Sequence, residues 1–590
     1  MAPADHAPAG AGGSAHRAVS TLAMMLALLC GLSACGSIPS SSSPQPITAF
    51  ERQGPTNAVP VPQADMDPES LVRAFLKATA DPDSGHEAAR KFLTTTSSEQ
   101  WDDRGDMLII DEINIFVDQR SEDAVRLRLI GDNVGTLKTD GELLPATGRV
   151  ETTLSLARVG DQWRIDGPLP NGTMLDRNQF ETAYRGATLY FTNRSLEHLV
   201  ADPRWFYSGK DTEATELLTR LIAGPAADLA DAVDSGFPNG AALRGPVTAL
   251  NDGGVRVELT GIGSSSTRDR TALAAQIIWT LDAADIGGPY VINADGGPLI
   301  PERAPGWQTT DVRSFDPTAV PATDVGLNII RSGALLKVTD SGTVPVDGPL
   351  GSGTAVRSAV ISADGETDAA VLARAERRFD LVVGPYGANP AVVTSGVSIT
   401  RPSFGQDANA VWAVVDGQPV QWMRDESGDS ERLIPVNADA IATVARGAIT
   451  ELQVAPDGVR VALIVGGQVV FAVVSTNADG GLSLTSPRIA AYNIGNRAVS
   501  LDWASPTTLM VARDTVESPV AQLSINGTPA VGLLSGNLSP PVRAVVADQS
   551  TVYVGDTLGV LRLGSSNGQP DQYWTEVEPA MAPDVIPVLP

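Results

Sequence analysis

Residues 452–465 read LQVAPDGVRVALIV: an apolar run, a Pro-Asp-Gly turn and a second apolar run, the pattern of two strands joined by a tight turn. The phrase recurs as VISADGETDAAVLA at 360–373, PSFGQDANAVWAVV at 402–415, LDWASPTTLMVA at 501–512 and AVVADQSTVYVG at 544–555. The starts lie about 40 to 50 residues apart, a period that suits one four-stranded blade of a β-propeller. With the strand-like runs of 327–346 added, residues 320–590 are expected to form a propeller of five or six blades. Blades stacked in a ring bury both faces, and circular closure leaves few exposed edges. A β-sandwich is the alternative reading of the same strands.

Upstream the periodicity changes. Thr188-Leu189-Tyr190-Phe191 reads as a strand, and 212–223 place Ala214, Leu217, Leu218, Leu221 and Ile222 on one helical face, stopped by Gly224-Pro225. Strands at 249–250 and 254–259 follow, then an apolar helix at 272–281 and a strand at 290–293 that runs into a turn. Residues 185–312 therefore read as an α+β unit. A smaller α+β unit is expected at 66–184. Asp67-Pro68-Glu69 opens a helix there, with Asp as N-cap and Pro in the first turn, and Leu71, Val72, Phe75 and Leu76 form its apolar stripe. A further helical pattern covers 87–93, and strand-like runs lie at 107–117, 124–130, 150–159 and 162–165. His86 falls in polar sequence between the two helical patterns, where an exposed structural role is expected. The fold class is multidomain, α+β followed by all-β.

Residues 22–32 are the one strongly apolar stretch, shorter than the roughly 20 residues a bilayer-spanning helix needs, and they read as the core of a signal peptide covering 1–34. The segment before them is long for such a peptide and carries only Arg17 with His16, alongside Asp5. Leu32-Ser33-Ala34-Cys35 matches the lipobox of bacterial lipoproteins, with Leu three before the cysteine and small residues where the peptidase must fit. Cleavage between Ala34 and Cys35 is expected, with an S-diacylglycerol and an N-acyl (palmitate-type) group on Cys35. Such chains anchor durably, each buried methylene adding about 0.8 kcal/mol. The expected location is the extracytoplasmic face of the plasma membrane, held by this lipid anchor. Residues 35–65, with Ser40 to Ser43 and Pro44, Pro46, Pro55, Pro60 and Pro62, read as a semi-extended tether.

The 590 residues are 43% hydrophobic and 19% charged, the composition of folded material. A formal net charge of -27 repels phosphate backbones and anionic headgroups, which argues against nucleic acid as a partner and against polybasic membrane attachment. The two cysteines are Cys30 and Cys35, and only His86 and His198 lie beyond the signal peptide. Neither a Cys/His dyad nor a His-based zinc cluster assembles from these, so no catalytic residue, metal site or cofactor is assigned. Gly564-Ser565-Ser566-Asn567-Gly568 has nucleophile-elbow spacing, but it sits between strand-like segments with no histidine downstream and reads as a turn. The Asn-Ala-Asp-Gly phrases at Asn293 and Asn477 lack the further ligands of a calcium loop and also read as turns. A carboxylate-only glycosidase stays open.

The ordered set LYF (189–191), LIAGP (221–225), FPNGAALRG (237–245), GVRVELTG (254–261), AAQIIWTL (274–281) and YVINADG (290–296) resembles the GerMN domain of cell-envelope lipoproteins. That likeness implies a binding or scaffolding role, with no catalytic residues to carry across. Together with the lipobox, the tether, DPESLVRAFLKATADPDSGHEAARKFL (67–93), DRNQFETAYRGATLYF (176–191) and the propeller repeats, the whole chain resembles the actinobacterial LpqB lipoprotein family. The resemblance implies a non-enzymatic accessory of the MtrAB two-component system, contacting the extracytoplasmic part of the sensor histidine kinase MtrB and affecting envelope homeostasis and division. The alternative is a lipoprotein that binds cell-wall glycan or peptide.

Overall fold

A computed structural model describes residues 59–590 apart from 210–213, 252, 322, 426, 429, 567 and 568. The expected signal peptide, Cys35 and most of the tether lie outside the described residues. Helix α1 (Pro68–Ala78) starts where the Asp67 carboxylate accepts the backbone N–H groups of Glu69 and Ser70, both at 3.1 Å. Its stripe of Leu71, Val72, Phe75 and Leu76 is buried against Ile110, Leu127, Leu129 and Leu154 of a six-stranded sheet. Each such side chain contributes about 1.5–3 kcal/mol on full burial. The sheet comprises β1 (Met107–Arg120), β2 (Ala124–Leu137), β3 (Leu143–Pro145), β4 (Arg149–Val159), β5 (Gln162–Asp166) and β6 (Thr173–Asp176) in the order β5-β4-β2-β1-β6, with β3 on β2. Val59 and Met66 pack on the same core, so order begins before the helix.

Helix α2 (Asp83–Arg90) begins earlier than the 87–93 pattern, and Ser84, Gly85 and His86 all have positive φ (52°, 68° and 55°). This left-handed turn corrects the expectation for His86. Its ring points inward, 8% exposed, against Trp101 and Asp103. Helices α3 (Thr95–Gln100) and α4 (Arg177–Ala183) complete the unit.

The next unit pairs β7 (Tyr184–Asn193) antiparallel with β8 (Leu199–Tyr207), and β9 (Val233–Asp234) joins β7. Helix α5 (Ala214–Ala223) buries Leu217, Leu218 and Leu221, as its sequence face requires. A second sheet holds β10 (Ala242–Leu243), β11 (Thr248–Ala249), β12 (Val255–Thr260), β13 (Tyr290–Ala294) and β14 (Gly297–Pro298). Strands β12 and β13 are parallel, so a crossover must link them, and α6 (Thr267–Asp282) supplies it. From Ala272 to Ile278 every residue of α6 is buried, which explains a run too apolar for a surface helix.

Among the described residues six antiparallel blades follow, five of four strands and the last of five. Blade 1 is built from Asn328–Arg331, Ala334–Thr339 and Gly342–Pro345, and its innermost strand is Ile586–Val588 from the C-terminus. Blades 2 to 6 begin with the inner strands Val356–Ile361, Ser403–Phe404, Ile449–Val454, Ala498–Ser505 and Ala544–Ala547. Each inner strand neighbours the next, and Ile586–Val588 touches both the first and the last of these five, which closes the ring. The repeated phrases are the inner hairpins of blades 2 to 6. Their turns share one device in four blades: the carboxylates of Asp364, Asp407, Asp457 and Asp548 accept the backbone N–H two residues on, at 2.7 to 2.9 Å. Blades 3 and 4 are also joined at their outer edges, where Val436 and Asn437 pair in parallel with Leu482 and Ser483.

Candidate functional site at the three-domain junction

On β8 the sequence Asp202-Pro203-Arg204 puts a carboxylate and a guanidinium two positions apart, hence on one face of the strand. Both are buried, 2% and 1% exposed. The Arg204 Nε and Nη2 groups donate to the two Asp202 oxygens at 2.8 Å each, and Nη1 donates to the Asp140 carbonyl, also at 2.8 Å. Asp202 further accepts the Ala226 backbone N–H at 2.9 Å. A pair this dry is tolerable only because both partners are hydrogen-bonded. It ties the loop between β2 and β3 to the second unit.

The propeller joins at the same place. Arg460, in the second strand of blade 4, donates to Asp457 of its own hairpin turn at 2.9 Å and to the Ala201 carbonyl of β8 at 2.6 Å. The Trp205 indole donates to Asn526 in blade 5 at 3.0 Å. Blade 5 also meets the first unit: a Cβ on Gly527, at φ 84°, would lie 2.4 Å from the Leu143 carbonyl of β3. One continuous apolar cluster runs from Leu189 and Ile278 into Leu501 and Val511. The three units therefore form one body rather than a string.

Glu142, Asp202, Asp228, Arg460 and Arg488 surround a space of only about 10 Å³, room for a water at most. Burial and then the nearby Asp228 charge push the Glu142 carboxyl up to about 8, against the opposing pull of Arg488. The unfolded chain releases this proton near 4.5 while the folded chain holds it, so the contribution of this group to stability is fully present below 4.5 and is lost as pH rises through about 8. Glu142→Gln is expected to flatten that slope and to raise stability at pH 8 by on the order of 2 kcal/mol, measured by urea unfolding at several pH values.

A second polar cluster lies among the inner strands. Arg401, just before blade 3, donates from Nε and Nη2 to Glu451 of blade 4 at 3.0 and 2.7 Å and sits 3.6 Å from Asp502 of blade 5. Ser500 and the Leu501 N–H also donate to Glu451, and Asp502 accepts the Ala547 N–H of blade 6 at 3.0 Å. Burial pushes the Asp502 carboxyl up to about 6 despite Arg401. One oxygen of Glu451 and the Asp502 carboxylate are thus engaged in bracing four blades.

The residues singled out from the sequence do not converge. His86 Nδ1 meets Asp103 at 2.9 Å, and Arg90 holds the other oxygen at 2.8 Å. Burial raises the Asp103 carboxyl, but the His86 hydrogen bond and the Arg90 charge outweigh it and hold it below its usual range. His198 is exposed on the β7–β8 hairpin of the other α+β unit. Asp295 of the first Asn-Ala-Asp-Gly phrase clasps the N–H groups of Gly261 and Gly263 at 2.8 and 2.9 Å, and Asn477 of the second accepts Ser483 at 3.0 Å; both are turns. Strands flank the 564–568 phrase, with Ser565 paired to Pro570, and its tip lies outside the described residues. Among the described residues no three His, Cys, Asp or Glu side chains group as metal ligands. The junction itself escaped sequence reading, although a charged pair inside the apolar strand LVADPRWFY was its available signal.

Family models match three successive segments: the LpqB lipoprotein N-terminal domain at residues 61–181, the sporulation and spore germination domain at 188–300, and the LpqB lipoprotein β-propeller domain at 333–590. A relative named lipoprotein LpqB in Rhodococcus opacus (strain B4) is 40% identical over 583 residues, covering 96% of this chain and 97% of its own. The chain belongs to the lipoprotein LpqB family. LpqB proteins of Mycolicibacterium smegmatis and Mycobacterium tuberculosis (strain CDC 1551 / Oshkosh) are 40% and 38% identical over 587 residues, with 96% of this chain and 99% of each relative covered. In this LpqB-family chain, Arg460 and Trp205 join the segments matched by the second and third models, and Arg204, paired with Asp202, carries the joint to Asp140 in the first.

Proposed function

We propose that the chain is a non-enzymatic lipoprotein, cleaved after Ala34 and held by acylated Cys35 on the extracytoplasmic face of the plasma membrane. There it modulates an MtrAB-like two-component system by contacting the external part of the sensor kinase MtrB, affecting envelope homeostasis and division. The observation that carries this reading is that the second unit and the propeller share one core while the first unit packs against Trp205 and Tyr492 of both, which offers a partner one fixed surface. The engagement of Glu451 and Asp502 in bracing the ring supports a non-enzymatic role. The wall-binding alternative draws on a different feature, a cleft of about 370 Å³ between blades 5 and 6 that presents Ser505, Thr508, Gln522 and Ser550. The test is a pull-down with Val59–Pro590, a single compact unit. Retention by the kinase's external domain supports the first reading, and retention on purified wall without kinase contact sinks it.

A further inference from the structure

The first α+β unit encloses a cavity of about 100 Å³ between α1, Trp101 and the face of β1 and β4. Phe75, Leu76, Trp101 and Leu154 form its buried floor. Two of the polar groups in its wall, on Thr79 and Trp101, are already spoken for. The Thr79 hydroxyl lies 2.7 Å from both the Leu76 and Met174 carbonyls, and the Trp101 indole donates to the Gly172 carbonyl at 3.1 Å. A water inside would need 2–4 polar partners, so the space favours hydrocarbon. Dry apolar cavities of about 150 Å³ hold a ring of benzene size, which sets the scale of what fits here.

The cavity is built into the backbone rather than left by loose packing. The segment 169–174, which runs into β6, forms one wall and passes so close to the residue before β1 that a Cβ on Gly172, at φ 78°, would lie 2.1 Å from the Asp106 carbonyl. Exposed Pro170 and Asn171 and half-buried Asp106 form the mouth. Asp106 is paired with Lys138, and exposed Asp102 adjoins through its carbonyl, which accepts the Gly172 N–H. Asp106 is neutralised by Lys138 and no Lys or Arg is among the described residues lining the cavity, so the mouth supplies no cation to hold an anionic group.

We propose that this cavity binds the chain end of a neutral or zwitterionic single-chain amphiphile, with the polar head left at the Asn171 mouth. The proposal does not rest on the kinase reading. Isothermal titration of Val59–Pro590 with dodecylphosphocholine, below its critical micelle concentration, is expected to give one saturable site. Thr152→Phe and Leu108→Trp fill the space from half-buried wall positions and weaken binding by at least about tenfold with thermal unfolding unchanged. Laurate, with a similar chain and an anionic head, binds more weakly than dodecylphosphocholine. No saturable site, or equal binding in the two folded variants, overturns the proposal, and laurate binding as tightly overturns its choice of headgroup. If the cavity instead receives a side chain from a partner protein, both amphiphile titrations stay flat.

Discussion

Removal of residues 583–590 is expected to destroy cooperative unfolding of the propeller. Ile586–Val588 is the inner strand of blade 1, with Val588 opposite Asn328 and Ile586 opposite Ile330. Val585, Pro587 and Val588 are buried. Their loss alone costs on the order of 5 kcal/mol at the usual value for apolar burial, a large part of the 5–15 kcal/mol that holds an ordinary domain folded. It also strips the ladder from Asn328–Arg331 and opens the ring between blades 6 and 2. The truncated chain should lose its single sharp thermal transition and be cut within the propeller by low protease concentrations. A melting temperature within a few degrees of the intact chain would contradict the closure described here.

Arg204→Met should be the most damaging single substitution at the junction. It leaves the Asp202 carboxylate 2% exposed with its guanidinium gone, and stranding one partner of a buried pair typically costs about 3–5 kcal/mol. The fork to Asp140 is lost as well, so the first α+β unit should loosen from the rest. The double change Asp202→Leu with Arg204→Met is expected to recover part of the loss, because an apolar pair avoids the stranded charge. Recovery stays incomplete, since the Ala226 N–H loses its acceptor. Urea unfolding of the two variants provides the comparison. A single-variant cost below about 1 kcal/mol would show that solvent reaches Asp202.

The propeller hairpins were legible because each carries its own local instruction: an Asp or Gly turn followed by a strand buried on both sides, such as Arg460–Val465. The helix from Pro68 was equally plain, since cap, proline and stripe agree. The ring closure was not. Pro587 argues against a strand in IPVLP, and it is accommodated because Ile586–Val588 is the inner edge of its sheet, where one row of N–H groups has no partner strand. The inward turn of His86 was hidden for another reason: positive φ at Ser84 and His86 has no counterpart in residue type, and only Gly85 hinted at it. The junction depends on Arg460 reaching Ala201, a contact between residues too distant in sequence for any local pattern to connect.

The parallel pairing of Val436 and Asn437 with Leu482 and Ser483 makes the ring mechanically uneven. Blades 3 and 4 are stitched at the rim as well as at the hub, so they move as one plate. Blade 1, by contrast, is clasped by three residues from the far end of the chain. A load on the propeller would therefore part it at that clasp first and leave the stitched plate, with the second α+β unit seated on blade 4 through Arg460, as the last portion to come undone.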